Sequence, residues 1–179
     1  MRPLLRNYEE LRPLNKAETA KLHPSAAVAL GLAALVLQLF LPLVAPAAKL
    51  LDLPLLAVVY LAVMVRHPLG GMLAGMLIGL AQDGLTDEPF GVFGIVKTII
   101  GYSAAVVSQY IEVDLPGARA VLCAFFFLVH QALLWALVGG LLGRDALADP
   151  VRSLMLGAVH AGLALMAFGL IDRLKRAAA

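Results

Sequence analysis

Long apolar runs, separated by short charged or proline-containing connections, constrain this chain more than any other feature. The first run, residues 25–44, is interrupted only by Gln38 and Pro42. A membrane-spanning helix needs about 20 mainly apolar residues, and this run supplies them. The chain of 179 residues is 61% hydrophobic and 15% charged, whereas soluble domains carry about 25% charged residues. The pattern predicts an integral membrane protein.

The apolar runs predict six helices and no separate soluble domain. Their expected ranges are residues 25–44, 53–65, 69–81, 91–110, 119–142 and 151–171. The second and third are short for full spans, so we expect tilt or local thinning of the bilayer. They are read as two helices because one continuous helix would carry Arg66 and Pro68 in its middle. The fold class is therefore an all-α integral membrane protein, a six-transmembrane-helix bundle spanning residues 25–171.

The two ends of the chain are polar and basic. Residues 1–24 form a basic segment for which an amphipathic surface helix and a solvated tail both remain open, and residues 172–179 form a basic tail. Ala45, Pro46 and Ala47 resemble a signal-peptide cleavage site. The preceding apolar run exceeds the roughly 7–15 residues of a signal core, so we expect it to be retained as the first helix.

Charge distribution predicts the orientation. Six helices place both termini on one side, and ten Lys or Arg residues fall there: Arg2, Arg6, Arg12, Lys16, Lys21, Arg66, Arg119, Arg173, Lys175 and Arg176. The other side holds Lys49, Arg144 and Arg152. Cytoplasmic connections are enriched in Lys and Arg. Both termini are therefore predicted to be cytoplasmic, and the loop from Asp83 to Pro89 to face outward.

Gly71, Gly75 and Gly79 recur at every fourth position of the third helix. Residues four apart lie on one helix face, so the glycines form a groove that another backbone can approach closely. Small residues at such positions are the usual means of helix association in lipid. Two interpretations stay open: contact with another helix of the same chain, and a dock for a partner's membrane helix.

Four polar residues fall in or next to apolar helices. Asp83 ends the third helix, where a carboxylate is electrostatically disfavoured, so we expect a compensating group. Lys97 either extends to the membrane interface or pairs with Asp83 or another acid of the outer loop; a role in ion transport is a weaker alternative. His130 and His160 are expected to meet near the midplane and bond to each other or to backbone. A proton-sensing or ligand role is the other reading for them.

The sequence carries no catalytic signature. It has no phosphate-binding loop, no Gly-x-Ser-x-Gly and no His-Glu-x-x-His motif. The single cysteine, Cys123, lies in an apolar run and is expected to be a buried small side chain. Two histidines without a nearby carboxylate do not predict a metal site. We expect neither catalytic residues nor a metal nor a cofactor, and no nucleic-acid surface.

The stretch from Gly75 through Gly79 and Asp83 to Gly91, followed by an apolar helix ending near Tyr102, resembles the family of rod-shape-determining protein MreD. Size, helix order and the basic tail are also similar, over roughly residues 53–176. The family is a small six-helix protein of the bacterial inner membrane. It is similar in turn to the substrate-binding subunits of energy-coupling-factor transporters.

The resemblance implies a non-enzymatic membrane scaffold of the cell-elongation machinery. Such a scaffold would bind the membrane helix of MreC and help regulate peptidoglycan synthesis, with RodA, PBP2 and MreB as indirect partners. The candidate contact residues are the three glycines, Phe126 and Trp135, while Gly91 and the polar residues would maintain the bundle. The alternative is the substrate-binding subunit of a vitamin-type transporter, its ligand held by Gln38, Asp83 and Lys97.

Overall fold

The structure is a computed structural model that describes residues 23–86, 89–111, 113, 115–143 and 149–177. The basic N-terminal segment, except for its last two residues, lies outside the described residues. So do Arg144 and the last two residues of the basic tail. The predictions made for those positions therefore fall outside the described residues.

The described residues form six α-helices, in the predicted order. They are α1 (Pro24–Val44), α2 (Leu53–Val65), α3 (Pro68–Asp83), α4 (Val92–Val107), α5 (Pro116–Trp135) and α6 (Pro150–Ala177). A short 3₁₀ helix, Pro46–Leu50, follows α1, and a π-helical segment, Ala136–Leu141, continues α5. The helix α4 is shorter at both ends than predicted, and α6 runs beyond residue 171.

Local sequence explains where the two short helices begin and end. The Asp52 side chain accepts a hydrogen bond from the Leu55 backbone N–H at the start of α2, which satisfies one of the free donors of the first turn. Arg66 ends α2 in the left-handed region, at φ 49°. Pro68 then begins α3, where a missing backbone N–H is tolerated. The predicted break at Arg66 is confirmed.

The core surrounds α2. From Pro54 to Val63 every residue of this helix is buried, as expected of a helix that is apolar on all sides. It packs on α1, α3 and α4, with smaller contacts to α5 and α6. The most extensive helix pairs are α3 with α4 and α5 with α6. Cys123 is buried in this core, as predicted.

Three helical stretches are long and apolar enough to cross a membrane: Pro24–Val44, Gly117–Leu141 and Pro150–Ile171. The helices α2 and α4 are apolar but shorter. Many large apolar side chains point outward, with Leu43, Val121 and Met166 among the most exposed. Such a surface is unfavourable in water and suits a lipid environment. These observations support the prediction of an all-α membrane protein.

Candidate functional site

The glycine row is occupied by the chain's own next helix. A Cβ atom added at Gly71 would collide with the Gly101 carbonyl oxygen, and one added at Gly75 would collide with the carbonyl oxygen of Lys97. At Gly79 the Cβ would lie 2.8 Å from the Gly94 Cα atom. The glycines therefore let α3 and α4 approach backbone to backbone. This corrects the partner-groove interpretation, and the intrachain alternative describes the packing.

Asp83 is compensated by the start of the following helix. It is buried, and its carboxylate accepts hydrogen bonds from the backbone N–H groups of Phe93 and Gly94, both at 2.9 Å. These are first-turn donors of α4, which have no partner within their own helix. Gly91 precedes α4 at φ 100°, a conformation that favours glycine. The expectation that something offsets the charge of Asp83 is confirmed.

Lys97 pairs with an acid that the sequence did not single out. Its Nζ atom lies 2.5 Å from Oδ2 of Asp52, and the side chain is fully buried. Among the described residues, neither extension to the interface nor pairing with Asp83 or another acid of the outer loop is found. The missed partner lies in the connection between α1 and α2, which the sequence marks only as a short polar link between helices. The Phe93 ring covers Lys97, with Nζ 4.9 Å from the ring centroid.

Asp52 joins four helices at one point. Oδ1 accepts from the Leu55 N–H at 2.9 Å, and Oδ2 contacts Lys97 of α4 and Nε2 of His130 at 3.2 Å. The Asp52 backbone N–H donates to Nε2 of His160 at 3.0 Å. We call Asp52, Lys97, His130 and His160 the polar centre. The contacts of Asp52 with Lys97, His130 and His160 link its connection to three helices, and its contact with Leu55 caps α2.

Both histidines face Asp52 rather than each other. His160 accepts at Nε2, and its Nδ1 lies 2.9 Å from the Leu156 carbonyl oxygen, which only an Nδ1–H can satisfy. The hydrogen-bond pattern therefore assigns His160 as the neutral Nδ1–H tautomer. The Phe127 ring stacks on it at 3.9 Å. The predicted hydrogen bonding to backbone is confirmed for His160, and the two imidazoles converge on Asp52 rather than bond to each other.

Asp52 lies outside the helices, and two opposing effects act on its carboxyl. Burial favours the neutral acid and alone would raise its pKa. The charge of Lys97 and the neighbouring His130 lower it, and so do hydrogen bonds from Lys97 and the Leu55 N–H. The net effect is a pKa below the ordinary value for aspartate. Asp52 is thus the carboxylate that balances Lys97.

A cavity of about 620 Å³ adjoins the polar centre. Its buried polar lining consists of Asp52, Gln82 and His130, and its exposed charged lining of Lys49, Asp149 and Arg152. Apolar side chains of α1, α5 and α6 also line it, among them Leu35, Leu39, Pro42, Phe127, Leu134 and Leu156. Oε1 of Gln82 and Nδ1 of His130 are buried, and neither has a hydrogen-bond partner among the residues that the structure describes. The sequence analysis did not single out Gln82, so this site was missed.

The aromatic residues of α5 divide between core and surface. Phe126 is 2% exposed and belongs to the core, so its predicted role in contacting a partner is wrong. Phe125 is 54% exposed and Trp135 is 52% exposed. Trp135 lies ten residues beyond Phe125, which is about 2.8 turns and places the two side chains roughly 80° apart around the helix axis. Phe125 and Trp135 are therefore available on an outward face.

Among the residues that the structure describes, no group of three or more His, Cys, Asp and Glu side chains is arranged to hold a metal ion. Comparison of the chain with protein families, curated proteins and solved structures found no match.

Proposed function

We propose that this chain is a non-enzymatic membrane scaffold of the MreD type, which binds the membrane helix of MreC and helps regulate peptidoglycan synthesis during cell elongation. The proposal includes six spanning helices in the bacterial inner membrane with both termini in the cytoplasm. RodA, PBP2 and MreB would be reached indirectly.

One observation carries the proposal: the residues on which the MreD resemblance rests form a single packed unit. Gly75 and Gly79 bring α3 against α4, Asp83 caps α4, and Gly91 makes the turn between them. Each residue of the motif has a structural task, and none is presented to solvent as a reactive group. Residues that serve only to pack helices suit a protein that acts by holding a shape and binding partners, which is the role of a scaffold.

Because α4 occupies the groove formed by the three glycines, we propose that the surface that binds the partner lies on α5 instead. Phe125 and Trp135 project outward there, and exposed aromatic residues are frequent anchors of protein interfaces. The partner is a membrane helix, because the surrounding surface is apolar. The assignment keeps one of the predicted contact residues, Trp135, and replaces Phe126 by its neighbour Phe125.

The experiment is co-purification of MreC from membranes that contain the tagged chain. Retention of MreC through detergent extraction supports the scaffold role, and its loss under conditions that keep the chain folded opposes it. Identification of every co-purifying protein would also show whether RodA or PBP2 accompanies MreC.

The cavity favours a second candidate, a substrate-binding subunit of a vitamin-type transporter. Of the three residues expected to hold its ligand, Gln38 lines the cavity. Lys97 is fully buried in its ion pair, and Asp83 is used by the start of α4. Thermal stabilisation by one member of a vitamin panel would support this candidate. No stabilisation, together with a stable MreC complex, would eliminate it.

A further inference from the structure

We infer that the cavity beside the polar centre binds the headgroup of an anionic lipid that carries hydroxyl groups, of the phosphoglycerol kind. This inference does not depend on the scaffold proposal. It follows from the unpartnered atoms at the buried part of the cavity, the charges at its exposed part and the helices that enclose it.

Two polar side-chain atoms at the buried part of the cavity are available to bond a ligand. Gln82 is 5% exposed and His130 is 2% exposed, yet Oε1 of the first and Nδ1 of the second have no hydrogen-bond partner within the described part of the chain. Nε2 of His130 faces the Asp52–Lys97 pair, so Nδ1 is the ring atom that does not contact this pair. A buried polar atom without a partner is costly. Both residues line the cavity, so a bound group can reach them.

Hydroxyl groups fit this requirement better than any group that only donates or only accepts. A hydroxyl does both, so it satisfies a carboxamide in either orientation and an imidazole in either tautomer. Two adjacent hydroxyls on a short carbon chain would serve Gln82 and His130 together. The ligand's buried end is therefore a small polyol.

The exposed part of the cavity selects for negative charge. Lys49 lines it from the 3₁₀ helix and Arg152 from the start of α6. Asp149 is the single acid among the exposed charged residues that the structure describes there. Arg and Lys are the usual ligands of phosphate oxygens. A phosphate attached to the polyol would lie between the two cations.

The enclosing helices indicate a lipid rather than a free solute. α1 packs mainly on the 3₁₀ helix, α2 and α3, and the cavity occupies the space between its second half and α5 and α6. Leu39 on α1 lines the cavity and is 48% exposed on the apolar surface. An acyl chain attached to the headgroup can leave along this side into the bilayer.

The test uses the purified, delipidated full chain and native mass spectrometry. Phosphatidylglycerol should be retained about tenfold more than phosphatidylcholine of the same chain length, the ratio that one net hydrogen bond supports. Equal retention of the two lipids would overturn the inference. Glycerol 1-phosphate, which lacks acyl chains, should leave the thermal midpoint unchanged at concentrations where phosphatidylglycerol saturates. Equal stabilisation by both would show a site for a free solute instead.

Two variants separate binding from folding. Gln82→Leu should bring phosphatidylglycerol retention down to that of phosphatidylcholine while the lipid-free midpoint stays level or rises, because an unpartnered acceptor is removed. Arg152→Gln alters an exposed residue and should lower the retention several-fold. Gln109→Leu is the control, since Gln109 bonds to the Arg66 carbonyl away from the cavity. Unchanged selectivity in both cavity variants would contradict the inference.

Discussion

Nζ of Lys97 lies 2.5 Å from Oδ2 of Asp52, joining the interior of α4 to the cap of α2. The ion pair is buried, and His130 and His160 occupy the remaining positions around Asp52. A buried pair of this kind is poor evidence of a large net stabilisation, since desolvation offsets much of the attraction. Its clearer consequence is that removing either partner leaves an uncompensated charge.

Replacing Lys97 by methionine should therefore destabilise the protein strongly. The expected loss is about 3–5 kcal/mol, because Asp52 would remain buried without its cation. Thermal unfolding in detergent measures the effect. The double variant Lys97→Met with Asp52→Asn should recover part of the loss, since no charge is then left over. Lys49→Met, an exposed residue of the same end, serves as the control. A single variant as stable as the parent would show that the pair is not formed.

Gly75→Ala should separate α3 from α4. The new Cβ would meet the Lys97 carbonyl carbon at 2.7 Å, and backbone cannot yield as a flexible side chain can. The thermal midpoint should fall, and the hydrogen exchange of α4 amides should accelerate. Gly162→Ala is a matched helical control, since nothing lies within 4 Å of a Cβ there. That change should be neutral or stabilising by up to about 1 kcal/mol, the helix-propensity difference. Equal effects of the two substitutions would refute the close packing.

The hydrogen bonds from the start of α4 to Asp83 predict an order of stability among substitutions at this position. Asp83→Ala leaves two buried N–H groups without an acceptor and should cost about 1–3 kcal/mol. Asp83→Asn keeps one acceptor oxygen and should fall between alanine and the parent. Hydrogen exchange at the Phe93 and Gly94 amides reports directly on the cap and should speed up in the same order. If these two amides exchange equally fast in all three proteins, the cap is absent.

The helix ends of this fold could be predicted from the sequence, whereas the contacts between helices could not. Proline, glycine and charge marked the helix ends, including the break at Arg66, because those residues act on their own backbone. The need to offset Asp83 was also foreseeable, since it follows from the polarity of a helix end. The choice of Asp52 as partner of Lys97 was not, because it depends on how α1, α2 and α4 meet.

The same limit explains the errors in the candidate site. A glycine row predicts close approach of a second helix and carries no information on whether that helix is in the same chain. Phe125, Phe126 and Phe127 are consecutive, so which of them faces outward depends on the rotation of α5, and Phe126 points inward. Gln82 and Asp52 line the cavity only because α1, α3 and the connection between α1 and α2 converge there.

The outward face of α5 predicts where MreC binds. Phe125→Ala combined with Trp135→Ala should lower MreC retention about tenfold or more, the range of interface anchor residues. Leu77→Ala is the control, because Leu77 is equally exposed and apolar but lies on α3. Both proteins should keep the parent's thermal midpoint in the absence of MreC, since the altered side chains are on the surface.

Affinity purification of the tagged chain from membranes that also contain MreC tests the scaffold proposal most directly. The account predicts that MreC remains bound after detergent extraction of the parent and of the Leu77→Ala protein, and is largely lost from the α5 double variant. A parent chain that is folded and purified without MreC, although both proteins were present in the membrane, would contradict it.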